Sequence, residues 1–238
     1  MMNTKAAAVT VLVLAIAFAG SSVVFPFAGF EPDAFPIPQN DPPAQPAGYA
    51  FSIWLVIYLW LILSAAYGVL RRADDPAWAA TRAPLMLSLG IGMFWLWAAS
   101  VSPILATLMI WAMLVTGVAA LAESPATDRW LLRGPIGLYA GWLAAASCVS
   151  VALLGAGYGF GFSQTGWAYA VVLAAALGAI GIIAWLGRVH EFGLAVAWAL
   201  VAIAVKSANT APGLATTAGI AAAGVGIVVA MKMTSTKV

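Results

Sequence analysis

Few residues of this chain are of types that do chemistry, and they are scattered. His190 and Glu191 stand together beside Arg188 at the start of an apolar segment, where a helix dipole favours a glutamate. Two interpretations stay open for this pair: a capping and interface role, or an imidazole that contacts a ligand. The lone Cys148 excludes an intramolecular disulfide and a Cys-rich metal or redox site, and a single histidine excludes a His-cluster metal centre.

Motifs for catalysis are missing from the sequence. It contains no nucleophile elbow, no phosphate-binding loop, no zinc-protease helix and no Cys-x-x-Cys. No acidic residue falls in the middle of an apolar segment, and ion-coupled transporters usually need such a group to carry the coupling charge. The sequence therefore predicts no catalytic residue, no metal site and no enzyme, and it disfavours active transport.

Tryptophan is the unusual residue type, with 11 copies in 238 residues. Four of them flank apolar segments and fit an interfacial belt: Trp78, Trp130, Trp167 and Trp185. Five others fall inside apolar segments: Trp54, Trp95, Trp97, Trp111 and Trp142. An indole is wide, flat and apolar with a single N–H donor, so several together can form the wall of a site for a planar hydrophobic ligand. Core packing is the alternative interpretation for each of them.

Composition decides the class of protein. The chain is 64% hydrophobic and 8% charged, with a mean hydropathy of +1.01, whereas soluble domains are about 45–50% apolar and about 25% charged. A soluble enzyme, a nucleic-acid binder and a disordered chain are excluded. The apolar stretches are long, rich in Ala, Leu, Val and Gly and without alternation, so they predict an all-α, polytopic transmembrane bundle in a lipid bilayer.

Eight apolar segments can be counted, each close to the length that crosses about 30 Å of hydrocarbon at about 1.5 Å per residue. They cover 6–24, 50–70, 84–100, 103–122, 135–156, 167–187, 190–206 and 213–231. Residues 1–19 also resemble a cleavable signal peptide, with Lys5, an apolar run and Ala17-Phe18-Ala19. We expect this segment to be retained as a helix.

Basic residues predict the orientation in the membrane. With eight spans, nine of the ten basic residues fall on the side of the N-terminus, and only Lys206 falls on the other. The nine are Lys5, Arg71, Arg72, Arg82, Arg129, Arg133, Arg188, Lys232 and Lys237. The positive-inside rule then places both termini in the cytoplasm. The expected location is the cell inner membrane, which the chain crosses several times.

The longest outside loop, 25–49, holds seven prolines and three acidic residues, Glu31, Asp33 and Asp41. So many prolines exclude an α-helix or a central strand and favour a stiff, extended cover over the helix ends, although a plain linker is the alternative. Lys206 could meet this acidic loop or a ligand carboxylate, or it could reach the lipid headgroups.

Two stretches resemble a known family, the TspO/MBR group of tryptophan-rich sensory proteins and translocator proteins. Residues 46–54, Pro-Ala-Gly-Tyr-Ala-Phe-Ser-Ile-Trp, followed by Tyr58, resemble the second helix of that family with its Trp-x-x-x-Tyr pair. Residues 135–142 resemble the start of its fifth helix, with Tyr139 and Trp142 at matching spacing. The likeness covers about residues 1–156, and it is closest to a longer bacterial subgroup with additional C-terminal helices.

This resemblance implies a TspO-like five-helix core, 1–156, and a three-helix extension, 157–238, in one membrane domain. It also implies a site between segments two and five for a porphyrin, another tetrapyrrole or a different flat lipophile, no required cofactor, and often a homodimer. The residues expected to contact the ligand are Trp54, Tyr58, Trp95, Trp97, Tyr139, Trp142 and Ser150. Ser150 stands where the family usually has Asn, and the third segment lacks the family's Asn-x-x-Trp.

Three functions are compatible with this pattern. The first is a non-enzymatic sensor or carrier that binds a flat lipophilic ligand by burial and stacking. The second is an accessory or structural subunit, or an assembly partner, of a larger membrane complex, with the C-terminal helices as its docking surface. The third is a facilitator-type transporter.

The orientation can be tested by thiol labelling of a chain from which Cys148 has been removed. Cysteines introduced near positions 40 and 160 should react with a membrane-impermeant reagent only from outside the cell, because both positions fall in predicted outside loops. Labelling of these positions from the cytoplasmic side would contradict the orientation.

Overall fold

A computed structural model of the chain describes residues 4–25, 27, 29–126 and 128–234. Pro26 of the proline-rich loop and Lys237 of the tail lie outside the described residues. Over the described residues the chain is helical and contains no strand, and eight of the helices are long and apolar enough to cross a membrane. They are α1 Thr4–Val24, α2 Ile53–Arg71, α3 Pro76–Val101, α4 Pro103–Glu123, α5 Gly134–Gly157, α6 Gln164–Leu186, α7 His190–Ser207 and α8 Pro212–Thr234. The predicted all-α transmembrane fold with eight helices is confirmed.

The largest difference from the predicted bounds concerns α3, which begins at Pro76 and not near residue 84. Asp75 caps the helix by accepting a hydrogen bond from the backbone N–H of Ala77 at 2.9 Å, and proline at the first helical position needs no donor there. The first two turns contain proline, tryptophan, Thr81 and the charged Arg82, which lower their mean hydropathy, so hydropathy alone misses them. Pro84 lies inside the helix without ending it.

The chain divides into two compact units, and the division falls within α5. One unit, here called unit 1, is Met1–Ala28 with Ile53–Ala140, and unit 2 is Gly29–Ser52 with Gly141–Val238. In unit 1, α3 packs against both α1 and α4, and α1 packs against α2. In unit 2, α6, α7 and α8 pack against one another. The division expected from the sequence, a five-helix core and a three-helix extension, differs from these two units and stays a prediction.

A buried arginine joins three segments at one end of unit 1. The guanidinium of Arg82 donates hydrogen bonds to the carbonyl oxygens of Thr4 at 2.8 Å, Arg72 at 2.7 Å and Ala73 at 2.8 Å. Two of these carbonyls follow the C-terminus of α2, where a helix dipole favours a cation. Arg82 therefore fixes the start of α1 and the end of α2 on α3.

Trp78 lies at the same end of unit 1, and the prediction that it belongs to an interfacial belt is wrong. Its side chain is buried, and its indole N–H donates to a carboxylate oxygen of Asp128 at 2.7 Å. Arg72 pairs with the same carboxylate at 3.3 Å. The half-buried carboxylate of Asp128 draws the indole of Trp78 inward, whereas Trp130 is 67% exposed, as a belt residue should be.

The part of the proline-rich loop that belongs to unit 2, residues 29–49, is held at two points by backbone hydrogen bonds. The backbone N–H of Ile37 donates to the carbonyl oxygen of Gly157, the last residue of α5. The backbone N–H of Ala47 donates to the carbonyl oxygen of Ala202 in α7. The prolines exclude an α-helix, but one short 3₁₀ turn, Pro32–Ala34, forms within the loop, and a second, Gly48–Ser52, spans its end.

Lys206 meets the acidic loop, which was one of the three interpretations of this residue. Its ammonium group lies 2.8 Å from a carboxylate oxygen of Asp41 and donates to the carbonyl oxygen of Pro42 at 3.1 Å. Gln164 of α6 also donates to the Gln39 side chain of the loop at 2.9 Å.

Gly141 should not tolerate a side chain. A Cβ built on Gly141 lies 2.8 Å from both the Cα and the carbonyl carbon of Phe192 in α7, so backbone stands where the methyl group would go. We expect Gly141→Ala to destabilise the protein by about 1–3 kcal/mol, the usual range for overpacking, as measured by thermal unfolding in detergent. The control is Gly178→Ala, since no atom lies within 4 Å of a Cβ built there. Equal melting temperatures for the two variants would contradict the close approach of α5 and α7.

Candidate ligand site

Trp54 and Tyr58 form a stacked pair on one face of α2. Their ring centroids are 5.2 Å apart and their planes differ by 19°. Residues four apart on a helix lie one above the other, so the Trp-x-x-x-Tyr spacing alone brings the rings together. Both side chains are half-buried. The pair presents a wide aromatic surface to the rest of unit 1.

Phe18 of α1 inserts its ring edge-on against this pair. Its centroid lies 5.7 Å from Trp54 and 5.1 Å from Tyr58, with the planes at 84° and 87°. The ring of Tyr139 in α5 lies 5.8 Å from Phe18 on a third side, at 69°. Sequence reasoning missed Phe18, and the only signal was that it is the single aromatic residue within α1.

Gly92 of α3 closes a fourth side. A Cβ built on Gly92 lies 2.8 Å from Cε2 of Phe18 and 3.0 Å from its Cδ2, so the phenyl ring occupies the space that a side chain would need. We call the space enclosed by Trp54, Tyr58, Tyr139 and Gly92 the aromatic slot. Phe18 fills it and is 2% exposed.

The hydroxyl of Tyr139 has a defined role inside unit 1. Ser88 Oγ donates to the carbonyl oxygen of Met113 at 2.7 Å, so Tyr139 donates its proton to Ser88 Oγ at 2.8 Å. Ser88 and Tyr139 are both fully buried. This chain of two hydrogen bonds joins α5, α3 and α4 and fixes the ring of Tyr139 beside Phe18.

Trp95 and Trp97 lie on different sides of α3, because residues two apart on a helix do not share a face. The indole N–H of Trp95 donates to the carbonyl oxygen of Ala106 in α4 at 2.8 Å, and its ring meets Phe27 edge-on at 5.4 Å. Trp97 is 47% exposed. The sequence pattern could not distinguish these two environments.

Two of the predicted ligand contacts belong to unit 2. Trp142 is buried and meets Phe51 edge-on, with their ring centroids 5.9 Å apart. Ser150 is buried, and its hydroxyl donates to the carbonyl oxygen of Ala146 at 3.0 Å in the same helix. Thus Trp54, Tyr58 and Tyr139 come together around Phe18 in unit 1, whereas Trp142 and Ser150 lie in unit 2. That all seven residues contact one ligand stays a prediction.

The groups around the aromatic slot are rings and one serine–tyrosine pair, with no carboxylate, imidazole or amine among the residues named. Among the described residues, no cluster of three His, Cys, Asp or Glu side chains could hold a metal ion. Such a site can bind by burial, by stacking and by edge-to-face contact with another ring.

Eight helices long and apolar enough to cross a membrane, with aromatic side chains buried between them, define a multi-pass membrane protein. Residues 5–231 match the family of TSPO-like proteins, so the match extends across all eight helices, and the chain belongs to this family. The chain has no significant match among curated proteins or solved structures.

The Ser88–Tyr139 pair predicts two variants of unequal effect. Tyr139→Phe removes one hydrogen bond and leaves Ser88 bonded to Met113, so it should cost about 0.5–1.5 kcal/mol. Ser88→Ala leaves the Tyr139 hydroxyl buried without its acceptor and should cost about 1–3 kcal/mol. Adding Tyr139→Phe to Ser88→Ala should then recover part of the loss in thermal unfolding. If Tyr139→Phe is the more damaging change, the direction of the hydrogen bonds is wrong.

Proposed function

We propose that this protein binds a flat lipophilic ligand, with a tetrapyrrole as the first candidate, and that it serves as a sensor or carrier and not as an enzyme. The ligand would be held by ring contacts and burial, with no bond made or broken. Membership of the TSPO-like family supports the general type of protein. The particular ligand class is inferred from the aromatic residues of unit 1.

One observation carries this proposal: rings from three helices converge on a single point. Trp54 and Tyr58 from α2 and Tyr139 from α5 all contact the Phe18 ring at centroid distances of 5.1–5.8 Å. Aromatic pairs at such distances prefer edge-to-face or offset geometry, which suits a planar ligand presenting an edge or a face. The ligand reaches the site from the bilayer, where a lipophile concentrates.

The proposed setting follows from the sequence pattern: a cell inner membrane, with both termini in the cytoplasm and the proline-rich loop outside. A homodimer or a larger membrane complex is also part of the proposal. Apart from adjacent residues and the backbone of the same helix, no described atom lies within 4 Å of a Cβ built on Gly178, Gly181 or Gly224. These glycines on α6 and α8 leave room for a partner helix to approach closely, which favours an accessory or structural role as the second candidate function.

The ligand proposal is tested by adding protoporphyrin IX to the full chain in lipid nanodiscs and measuring the quenching of tryptophan fluorescence. Trp54→Ala removes the ring that stacks on Tyr58, so the porphyrin should bind roughly two- to tenfold more weakly, which corresponds to about 0.5–1.5 kcal/mol. Trp142→Ala, a predicted wall residue, should also weaken binding.

The matched control is Trp185→Ala. Trp185 is 68% exposed and lies near the end of α6, so its loss should leave porphyrin affinity unchanged. Equal effects of Trp54→Ala and Trp185→Ala would remove the case for a site at the aromatic slot. A wild-type chain that binds no porphyrin would favour the accessory role.

A further inference from the structure

We infer that Phe18 is a built-in occupant of the aromatic slot: its ring competes with the flat ligand for the same space and sets the size of ligand that can enter. This inference rests on the proposed function, because it assigns a regulating residue to the same site. Phe18 belongs to α1, whereas the walls of the slot belong to α2, α3 and α5.

The fit of the ring is the first reason. The phenyl ring stands nearly perpendicular to both members of the stacked Trp54–Tyr58 pair and meets Tyr139 edge-on from another side. A planar aromatic ligand entering this space would make the same edge-to-face contacts. The slot is therefore already arranged around one six-membered ring, which Phe18 supplies.

The backbone opposite the rings is the second reason. Gly92 lies where any larger residue would meet Phe18, with Cε2 of the ring 2.8 Å from a built Cβ. A glycine inside a helix is less favourable than alanine by about 1 kcal/mol. At this position the glycine lowers helix stability but leaves room for the ring. Without the phenyl group, the same glycine would leave a flat floor for a ligand.

The consequence concerns apparent affinity. A ligand can enter the slot only in the fraction of molecules in which Phe18 has left it, and apparent affinity falls by that fraction. Three ring contacts keep Phe18 in place. Each of them shifts the equilibrium between Phe18 inside and outside the slot roughly two- to tenfold toward the inside position. Ligands wider than one ring are disfavoured until the phenyl group moves aside.

Phe18→Ala in the full chain tests this inference. It should bind protoporphyrin IX at least about tenfold more tightly than wild type in nanodiscs, because the competing ring has been removed. It should also gain thermal stability from benzene at a fixed detergent concentration, since a buried apolar cavity left by a deleted side chain can hold benzene. Wild type should gain less.

Two further variants make the result specific. Phe192→Ala removes an equally buried phenyl ring in unit 2 and should leave porphyrin affinity unchanged. Phe18→Leu keeps an apolar side chain in the slot and removes the ring, so its porphyrin affinity should fall between wild type and Phe18→Ala. Because Phe18→Leu preserves most of the packing, it also provides the test if Phe18→Ala does not fold.

The possible outcomes separate this inference from the proposed function. If wild type binds porphyrin, Trp54→Ala weakens that binding, and neither Phe18 variant changes it, then Phe18 does not compete for the site although the ligand function stands. If no variant binds porphyrin but benzene stabilises Phe18→Ala more than Phe192→Ala, then Phe18 fills a ring-sized slot and the porphyrin proposal fails. If Phe18→Ala gains neither porphyrin affinity nor stability from benzene, the inference is overturned.

Discussion

Hydrocarbon offers no hydrogen-bond partner, and this constraint shapes the helices and their tryptophans. Every backbone polar group in the hydrocarbon needs a partner within the protein, and a buried indole N–H usually finds one as well. Four indole N–H groups each donate a hydrogen bond to a backbone carbonyl oxygen, and in each case the donor and the acceptor belong to the same unit. These pairs are Trp60 with Trp130, Trp95 with Ala106, Trp167 with Phe160, and Trp198 with Ala50, at 2.7–3.0 Å. Abundant tryptophan therefore has a structural use that does not depend on any ligand.

The same constraint explains how Arg82 can be buried with neutral carbonyl groups as its hydrogen-bond partners. Its guanidinium donates to three carbonyls, two of them just beyond the C-terminus of α2, where the helix dipole concentrates negative charge. Ser102 solves the corresponding problem for backbone donors between α3 and α4, since its hydroxyl accepts from the N–H of Leu105. Backbone groups where helices end or cross are thus hydrogen-bonded by three kinds of side chain: a guanidinium, a hydroxyl and an indole.

Hydropathy was enough to predict eight helices, because a span must be long and apolar wherever it packs. It failed at α3, whose first two turns contain Thr81 and Arg82 and whose start depends on Asp75 and Pro76. It also failed at Trp78, whose half-buried acceptor Asp128 lies 50 residues away. In the candidate site, the spacing of Trp54 and Tyr58 predicts their stacking. No pattern within α1 could place Phe18 against this pair, because that contact depends on how α1 and α2 are paired in three dimensions.

Binding a lipophile from a bilayer differs from binding it from water. Lipid tails are as apolar as a protein core, so burial of apolar surface adds little to the affinity for a ligand that already lies in the membrane. What the protein adds is ring geometry, worth about 0.5–1.5 kcal/mol per aromatic pair, and a shape that lipid cannot hold. The three contacts now made by Phe18 are of this kind. A ligand that replaced the phenyl group would gain only what it makes beyond those contacts. Phe18 therefore sets a threshold: a ligand displaces the ring only when its own contacts with the slot are stronger than the three that Phe18 makes.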